Sequence, residues 1–206
     1  FGYWRDTHCK IKGSAIHGLE WRFLLDWRFA ANEEISNMEK YFLPKDTIGE
    51  TGVQIVSSGP DSKWTSIKDG YFKMIINARD KVYIQTPYFI PDDSILEALR
   101  VAGLSGVDVR IIIPSKPDHP FVYWATYSYI GDLLRTGARA FIYENGFLHA
   151  KMIVVDSQIA SVGTANIDVR SFRLNFEVNA FLYNETLVEM LVDEFEKDLE
   201  VSTELT

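Results

Sequence analysis

Residues 147–163 have the sequence FLHAKMIVVDSQIASVG, in which two apolar runs are separated by short polar breaks. Apolar content and β-branched residues predict one strand over 147–155 and a second over 159–163, joined by a turn at Asp156-Ser157. Asn145-Gly146 is another strong tight-turn signal. Because tight turns join antiparallel strands, this part of the sheet is expected to be antiparallel.

Upstream of this segment, predicted strands alternate with predicted helices. Alternation with helices of 10 to 15 residues implies a layered α/β domain with a largely parallel sheet. Together with the antiparallel end, the prediction is an α/β fold with a mixed β-sheet flanked by helices on both faces. The predicted strands are 53–57, 81–86, 107–113 and 138–143, and the predicted helices are 64–79, 94–105 and 121–136.

A faint internal repeat links the two ends of the chain. Residues 6–12 are predicted to form a strand, and Ser14 is predicted to cap the helix that follows. Asp6 and Leu24 match Glu177 and Phe195, each at an offset of 171 positions. The equivalent of position 149 then falls before residue 1, so a partner site is missing. The predicted organisation is the tail of a first repeat (1–32), a linker (33–51) and a whole second repeat (52–206).

The composition is that of an ordinary globular chain, with 206 residues, 47% hydrophobic and 24% charged. A net charge of −8 argues against a broad nucleic-acid-binding face, which would be basic, but allows a small basic pocket for one phosphate. The single cysteine, Cys9, excludes an intrachain disulfide and is expected to be a small buried strand residue. No apolar run is long enough to span a membrane. The start at Phe1 indicates a piece of a longer chain.

Polar residues around this segment point to phosphate chemistry. His149 and Lys151 are two positions apart, so on a strand they project from the same face. Lys151 precedes the buried run 152–155, where an ammonium requires an anionic partner such as a phosphate. Thr164 and Asn166 offer hydroxyl and amide donors for phosphate oxygens. Glu177 is expected to accept a hydrogen bond from the second imidazole nitrogen, which leaves the other nitrogen free to attack.

Asp156 has a structural interpretation on its own position. It lies at an odd offset from His149, and therefore on the opposite strand face, and in a predicted turn where aspartate is favoured. The joint spacing, however, is H-x-K-x4-D-x6-G-T-x-N, in which Asp156 is one member of a set. This joint pattern is far more specific than any single residue in it.

The pattern closely resembles the HKD motif of the phospholipase D superfamily, and other segments resemble bacterial cardiolipin synthases in particular. The resemblance implies a phospholipase D-like fold in which two HKD motifs meet in one active site, of which this chain holds the second. It also implies an enzyme without a cofactor that joins two phosphatidylglycerol molecules and releases glycerol. The segments that carry the resemblance are 4–8, 86–92, 106–110, 147–151 and 174–178.

The resemblance makes Asp156 the third member of the motif. In the implied mechanism one histidine attacks phosphorus to give a phosphatidyl-histidine, and a second gives a proton to the leaving glycerol. Which motif holds the nucleophile stays open, and this chain alone is expected to be inactive unless a dimer pairs two copies of His149. No metal is expected, since His8, His17 and His119 have no ligand spacing. The implied catalytic residues are His149, Lys151, Asp156 and Glu177, and the implied phosphate-binding residues are Lys151, Thr164 and Asn166.

The implied partners are phosphatidylglycerol and other anionic phospholipids, a first repeat or second copy of the chain, and a membrane surface reached through N-terminal segments, but no nucleic acid. The full-length protein is expected at the cell membrane, with this piece soluble. Two alternatives stay open: a phospholipase or nuclease of the same superfamily, and a non-catalytic lipid-binding domain. Asp6 either supports the absent histidine or is an ordinary carboxylate. Arg170 and Arg173 either attract headgroups or are solvated, and the aromatic run 121–129 either lines an acyl-chain groove or packs in the core.

Overall fold

The computed structural model describes residues 2–42, 49–116 and 120–206. The strands are β1 (Trp4–Arg5), β2 (Gly52–Ser58), β3 (Lys81–Gln85), β4 (Phe89–Ile90), β5 (Asp108–Pro114), β6 (Arg139–Tyr143), β7 (Phe147–Leu148), β8 (Met152–Val155), β9 (Ile159–Gly163), β10 (Ile167–Asp168), β11 (Glu177–Tyr183) and β12 (Ser202–Glu204). The helices are α1 (Ile16–Ala31), α2 (Ser66–Ile76), α3 (Asp93–Leu104), α4 (Pro120–Leu134), α5 (Val169–Arg173) and α6 (Glu185–Glu200), with a short 3-10 helix at Met38–Tyr41.

An eight-stranded mixed sheet forms the centre of the molecule, in the order β12-β6-β5-β3-β8-β9-β11-β2. Strands β3, β5 and β6 are parallel, because helices α3 and α4 make the crossovers between them. Strands β8, β9, β11 and β2 are antiparallel to their neighbours. The sheet is therefore mixed in the way that the sequence predicts.

Helices cover both faces of the sheet, because its central strands are apolar on both sides. Ile111 and Ile113 of β5 point into a core shared with α2, α3 and α4, whereas Ile112 points into the core beneath α6. On the second face the ring of Phe195 in α6 stacks on Tyr83, with centroids 4.7 Å apart. The predicted α/β class, with a mixed sheet flanked by helices on both faces, is confirmed.

The strand predicted over residues 6–12 is wrong. The chain instead forms the two-residue β1, which pairs in parallel with β7. At the offset of 171 positions, residues 6–12 correspond to β11, whose backbone is satisfied by two neighbouring strands, β2 and β9. No such neighbours flank 6–12 in the part of the chain that the structure describes, so no ladder forms. Cys9 is consequently exposed rather than a buried strand residue.

One smaller expectation at this end of the chain is also corrected. Ser14 does not cap α1, because the position before the helix is Ala15 and no side chain makes a capping hydrogen bond. The predicted linker 33–51 contains the short 3-10 helix Met38–Tyr41. Residues 43–48 of it lie outside the described part of the chain.

The strand predicted over 147–155 is interrupted between Leu148 and Met152. Its first part, β7, pairs with β1, whereas its second part, β8, joins the main sheet beside β3. Residues 149–151 connect the two where the chain changes partners. The turn at Asp156-Ser157 is confirmed, with φ of 54° and 55° at the two residues, between antiparallel β8 and β9. Asn145-Gly146, by contrast, joins β6 to a strand in a different sheet.

Candidate active site

One edge of the sheet collects the polar residues singled out in the sequence. Gln85 at the end of β3 is opposite Met152 at the start of β8, and Ser58 at the end of β2 is opposite Glu177 at the start of β11. The 149–151 connection and the loop that follows β9 leave the sheet at this same edge. The interruption between β7 and β8 therefore places His149 and Lys151 at a strand end, where the imidazole of His149 is reachable from solvent.

His149 is paired with Asp6. The Nδ1 atom of His149 lies 2.8 Å from Oδ2 of Asp6, and the imidazole is 39% exposed. The backbone N–H of His149 donates to the carbonyl oxygen of Arg5 at 2.8 Å, and the Trp4 ring lies 5.1 Å from the imidazole. When Nδ1–H donates to the carboxylate, the lone pair is on Nε2. This is the tautomer that nucleophilic or base chemistry at Nε2 requires.

The partner of His149 differs from the one expected. Glu177 was expected to bind the imidazole, and Asp6 was expected either to support an absent histidine or to be an ordinary carboxylate. Instead Asp6 takes the position at Nδ1. Glu177 is 8% exposed and its Oε1 accepts a hydrogen bond from the Asn175 amide at 3.2 Å. The reason is topological, because β1 lies alongside β7 and brings Asp6 to the imidazole.

Lys151 is a buried ammonium at the same edge, with 8% of its surface exposed. Its Nζ donates to the backbone carbonyl of His149. Burial lowers the pKa of Lys151 to about 8, although the carboxylates of Asp6 and Glu177 favour the charged form. A desolvated cation near two carboxylates and one exposed imidazole is well suited to neutralise a phosphate oxygen.

The loop after β9 is held in place by Asn179, which is buried in the neighbouring β11. Its Oδ1 accepts from the backbone N–H of Ala165 at 3.2 Å, and its amide donates to the Tyr71 hydroxyl at 2.7 Å and to Ser161 Oγ at 3.0 Å. A Cβ on Gly163 would lie 2.4 Å from Asn179 Cγ. The glycine of the motif is therefore required by close packing.

The two predicted phosphate ligands in this loop have different environments. Thr164 is exposed, and its Oγ1 accepts from the backbone N–H of Val178 at 2.9 Å, so the hydroxyl ties the loop to β11. The side chain of Asn166 makes a hydrogen bond to Asp168, while its buried Oδ1 has no partner among the described residues. The structure thus brings these two residues to the same edge as His149, Lys151 and Glu177.

Asp156 is not part of this cluster. It lies at the other end of β8, roughly 16 Å from Lys151 along an extended strand of five residues. Its carboxylate accepts backbone N–H groups from Arg79 at 2.8 Å and from Asp80 and Lys81 at 2.9 Å. These bonds join the β8–β9 turn to the start of β3 and favour the structural interpretation.

Other candidates have mixed outcomes. In the aromatic run, Phe121 and Trp124 are exposed, whereas Tyr127 and Tyr129 pack against the core, so neither interpretation of the run covers all of it. Arg170 is exposed, as is Arg173.

His119 lies outside the described residues. In the ranges that the structure describes, none of the helices has the length and hydropathy needed to cross a membrane.

Sequence reasoning missed three residues next to the site. Arg5 and Gln85 contact Asp198, a buried carboxylate of α6. The signal was an acidic residue on the apolar face of the helix, three positions after the fully buried Phe195.

The mixed sheet flanked by helices is a phospholipase D-like fold, which solved structures share. The phospholipase D family member Nuc from Salmonella typhimurium has 22% sequence identity and a TM-score of 0.64, over 76% of this chain and 99% of that one. NucT from Helicobacter pylori has 20% identity and a TM-score of 0.62, over 76% of this chain and 100% of that one. At sequence identities of 22% and 20%, these similarities show a shared fold and no more.

Within that class, the model of the family described as cardiolipin synthase, PLD-like domain, matches residues 71–199, and the chain belongs to this family. It is 60% identical to the major cardiolipin synthase ClsA of Bacillus subtilis over the whole chain, which is 43% of that protein's length. The cardiolipin synthase of Listeria welshimeri is 56% identical over the same shares. The chain therefore spans less than half the length of these relatives.

Proposed function

We propose that this chain provides one half of the active site of a cardiolipin synthase, which transfers a phosphatidyl group between two phosphatidylglycerol molecules and releases glycerol. The observation that carries the proposal is the His149–Asp6 pair with the buried ammonium of Lys151 beside it. Membership of the cardiolipin synthase family supports the choice of reaction. The substrates are then anionic phospholipids at a membrane surface, and the full-length protein works at the cell membrane.

The proposed chemistry follows from the roles that these groups can fill. Nε2 of one histidine attacks phosphorus, and a P–N bond forms as the P–O bond to glycerol breaks. Lys151 neutralises a non-bridging oxygen, together with the donors of the 164–166 loop. The leaving glycerol oxygen takes a proton from a second imidazole on the opposite side, because the phosphorus-bound ring is on the entering side and its remaining proton, on Nδ1, faces the carboxylate. The second imidazole then removes the proton from the incoming hydroxyl, which displaces the histidine.

The arrangement of the two acids supports a site made by two units. Asp6 serves a histidine that follows it by 143 positions, in the other predicted repeat. Glu177 stands at the equivalent of Asp6 and reaches the same edge, yet no histidine contacts it among the described residues. We therefore infer that Glu177 supports the imidazole of a different phospholipase D-like unit in a longer chain, since His149 of a second copy would already be paired with its own Asp6. The proposed division stays 1–32, 33–51 and 52–206.

The test is a product analysis with vesicles of phosphatidylglycerol. This chain is supplied alone, and in a second sample together with the phospholipase D-like unit that carries the other histidine. The expected products are cardiolipin and glycerol in equal amounts, made only when two units are present. His149→Gln is expected to reduce synthesis below detection, while His17→Gln on α1 is the matched control and retains it. Phosphatidic acid as the main product would instead identify a hydrolase, and binding without turnover would identify a lipid-binding domain.

A covalent adduct gives a second readout of the same proposal. When the phosphatidyl donor carries a label on phosphorus, quenching during turnover in alkaline detergent, where a P–N bond to histidine is stable, is expected to leave label on the protein. If His149 is the nucleophile, the label is lost in His149→Gln. If His149 is the general acid, label still appears in that variant, but slowly, because glycerol must leave without receiving a proton. An unlabelled protein under conditions of full turnover would refute the covalent mechanism.

A further inference from the structure

A buried carboxylate on α6 contacts the segment that carries Asp6. Asp198 is 6% exposed, and its two oxygens accept from Arg5, Oδ1 from Nε at 2.9 Å and Oδ2 from Nη2 at 2.8 Å. The amide of Gln85, which is 1% exposed, donates to Oδ2 at 2.6 Å. The guanidinium is thus held by a bidentate pair, and the carboxylate by a third donor.

The other groups of Arg5 contact the site directly. Nη1 donates to the backbone carbonyl of Asp6 at 2.6 Å and to Thr7 Oγ1 at 3.1 Å. The backbone carbonyl of Arg5 accepts the N–H groups of His149 at 2.8 Å and of Ala150 at 3.2 Å. Asp6, the next residue, is therefore fixed between a guanidinium anchored in α6 and the backbone that carries the imidazole.

Apart from the backbone N–H of Thr7, which donates to Asp6 Oδ1 at 2.9 Å from within the same segment, little else holds Asp6 in this position. The pairing of β1 with β7 covers two residues, and residues 6–12 form no strand. A one-residue slip of an extended segment would turn the Asp6 side chain to the opposite face. A hydrophobic residue at position 198 would continue the apolar face formed by Val188 and Phe195, and buried ion pairs commonly add little stability compared with such residues. A charge at this position is better explained by the need to fix one arrangement.

We propose that Asp198 is a positioning residue: through Arg5 it holds Asp6 at Nδ1 of His149 and so fixes the imidazole tautomer with its lone pair on Nε2. The effect on catalysis rests on the proposed function, but the effect on the imidazole does not. Loss of Asp198 leaves Arg5 without its anchor, so Asp6 moves from the ring and Nδ1–H loses its acceptor.

The test is 15N NMR of the imidazole rings at pH 8.5, where a histidine in water is neutral. The His149 signals are assigned by their absence in His149→Gln. In the unsubstituted chain we expect a protonated Nδ1 and an unprotonated Nε2. In Asp198→Asn and in Arg5→Gln we expect averaged shifts that report a mixture of tautomers. Glu196→Gln is the matched control, because Glu196 is another α6 carboxylate that pairs with an arginine, in this case Arg110. We expect this variant to leave the His149 signals unchanged.

A purely structural role predicts another result. The variants would then have a lower Tm, while their folded forms kept the His149 signals of the unsubstituted chain, and this outcome would overturn the proposal. If Asp198→Asn does not fold, Arg5→Gln decides, since Asp198 keeps its bond from Gln85 there. In an assembly that makes cardiolipin, Asp198→Asn is expected to reduce kcat about 10²-fold with KM little changed. If no cardiolipin forms in any variant, the proposed function fails, and the NMR result still tests the positioning.

Discussion

Substitution of Asp156 separates a structural role from a chemical one. Its carboxylate accepts three backbone N–H groups, from Arg79, Asp80 and Lys81. At about 1 kcal/mol for each bond, their loss reduces the free energy of unfolding by about 3 kcal/mol. Asp156 also has φ of 54°, and a residue with a Cβ but no local polar group costs about 1 kcal/mol more in that conformation.

These two contributions predict how much stability each of three Asp156 variants loses. Asp156→Ala loses the bonds and has the unfavourable φ, so we expect about 4 kcal/mol of destabilisation. Asp156→Gly loses only the bonds, about 3 kcal/mol. Asp156→Asn keeps one acceptor oxygen and tolerates positive φ, so about 1.5 kcal/mol is expected. For a chain of this size the alanine variant should lose roughly 8–16 °C in Tm.

Thermal denaturation followed by circular dichroism measures the series, with Asp80→Ala as the control because the carboxylate of Asp80 makes none of the three bonds. Cardiolipin synthesis by the two-unit assembly, assayed well below each Tm, is expected to persist, since Asp156 is far from Lys151. The reasoning would be refuted if Asp156→Asn had the Tm of the unsubstituted chain but no activity. Equal stability losses for alanine and glycine would disprove the contribution of φ.

Three further predictions concern the site and its surroundings. Burial lowers the pKa of Lys151 to about 8, so the native state binds fewer protons than the unfolded state between pH 8 and 10.5 and its stability rises over that window. Lys151→Met should therefore raise Tm at pH 7, and its stability should not rise between pH 8 and 10.5. By calorimetry the variant should bind inorganic phosphate at least tenfold more weakly. Gly163→Ala should reduce the free energy of unfolding, measured with denaturant, by about 2–3 kcal/mol, because its Cβ would clash with Asn179. In the control Gly131→Ala the new Cβ on α4 meets open space, and the free energy of unfolding should rise by about 0.5–1 kcal/mol. Gly146→Ala, whose Cβ would lie 2.3 Å from Tyr3 O, should release β1, seen as faster hydrogen exchange of the Phe147 amide; unchanged exchange would contradict the close packing.

The main sheet could be predicted from the sequence because its signals are local. Strand and helix periods alternate from residue 53 onwards, and the strands and helices predicted between 53 and 143 differ from the observed ones by at most three residues at their ends. Asn184 caps α6 by accepting from the N–H of Leu187, as a cap at the end of a strand should. Apolar strands between amphipathic helices leave few other arrangements for such a chain.

The two wrong strand predictions share one physical cause, which is that a strand forms only where neighbouring strands satisfy its backbone. Residues 6–12 align with β11 at the offset of the repeat, but their backbone groups have no ladder to join among the described residues. Residues 147–155 have a continuous strand pattern, but the chain leaves β1 and joins β3 within them. Propensity does not report which strand lies alongside, so neither outcome could be predicted from residue types alone.

The identity of the acid at His149 shows why spacing found the histidine but not its partner. Glu177 follows the motif in the same repeat, so sequence proximity favoured it, whereas Asp6 lies 143 positions away and reaches Nδ1 only because β1 pairs with β7. Two acids at equivalent repeat positions therefore differ in one chain: Asp6 contacts a histidine, whereas Glu177 contacts none among the residues that the structure describes. If each unit lends its acid to the histidine of the other, as Asp6 does, neither unit has a complete site without its partner. A requirement for two units then follows from strand pairing itself, independently of whether one histidine can perform both proton transfer and attack.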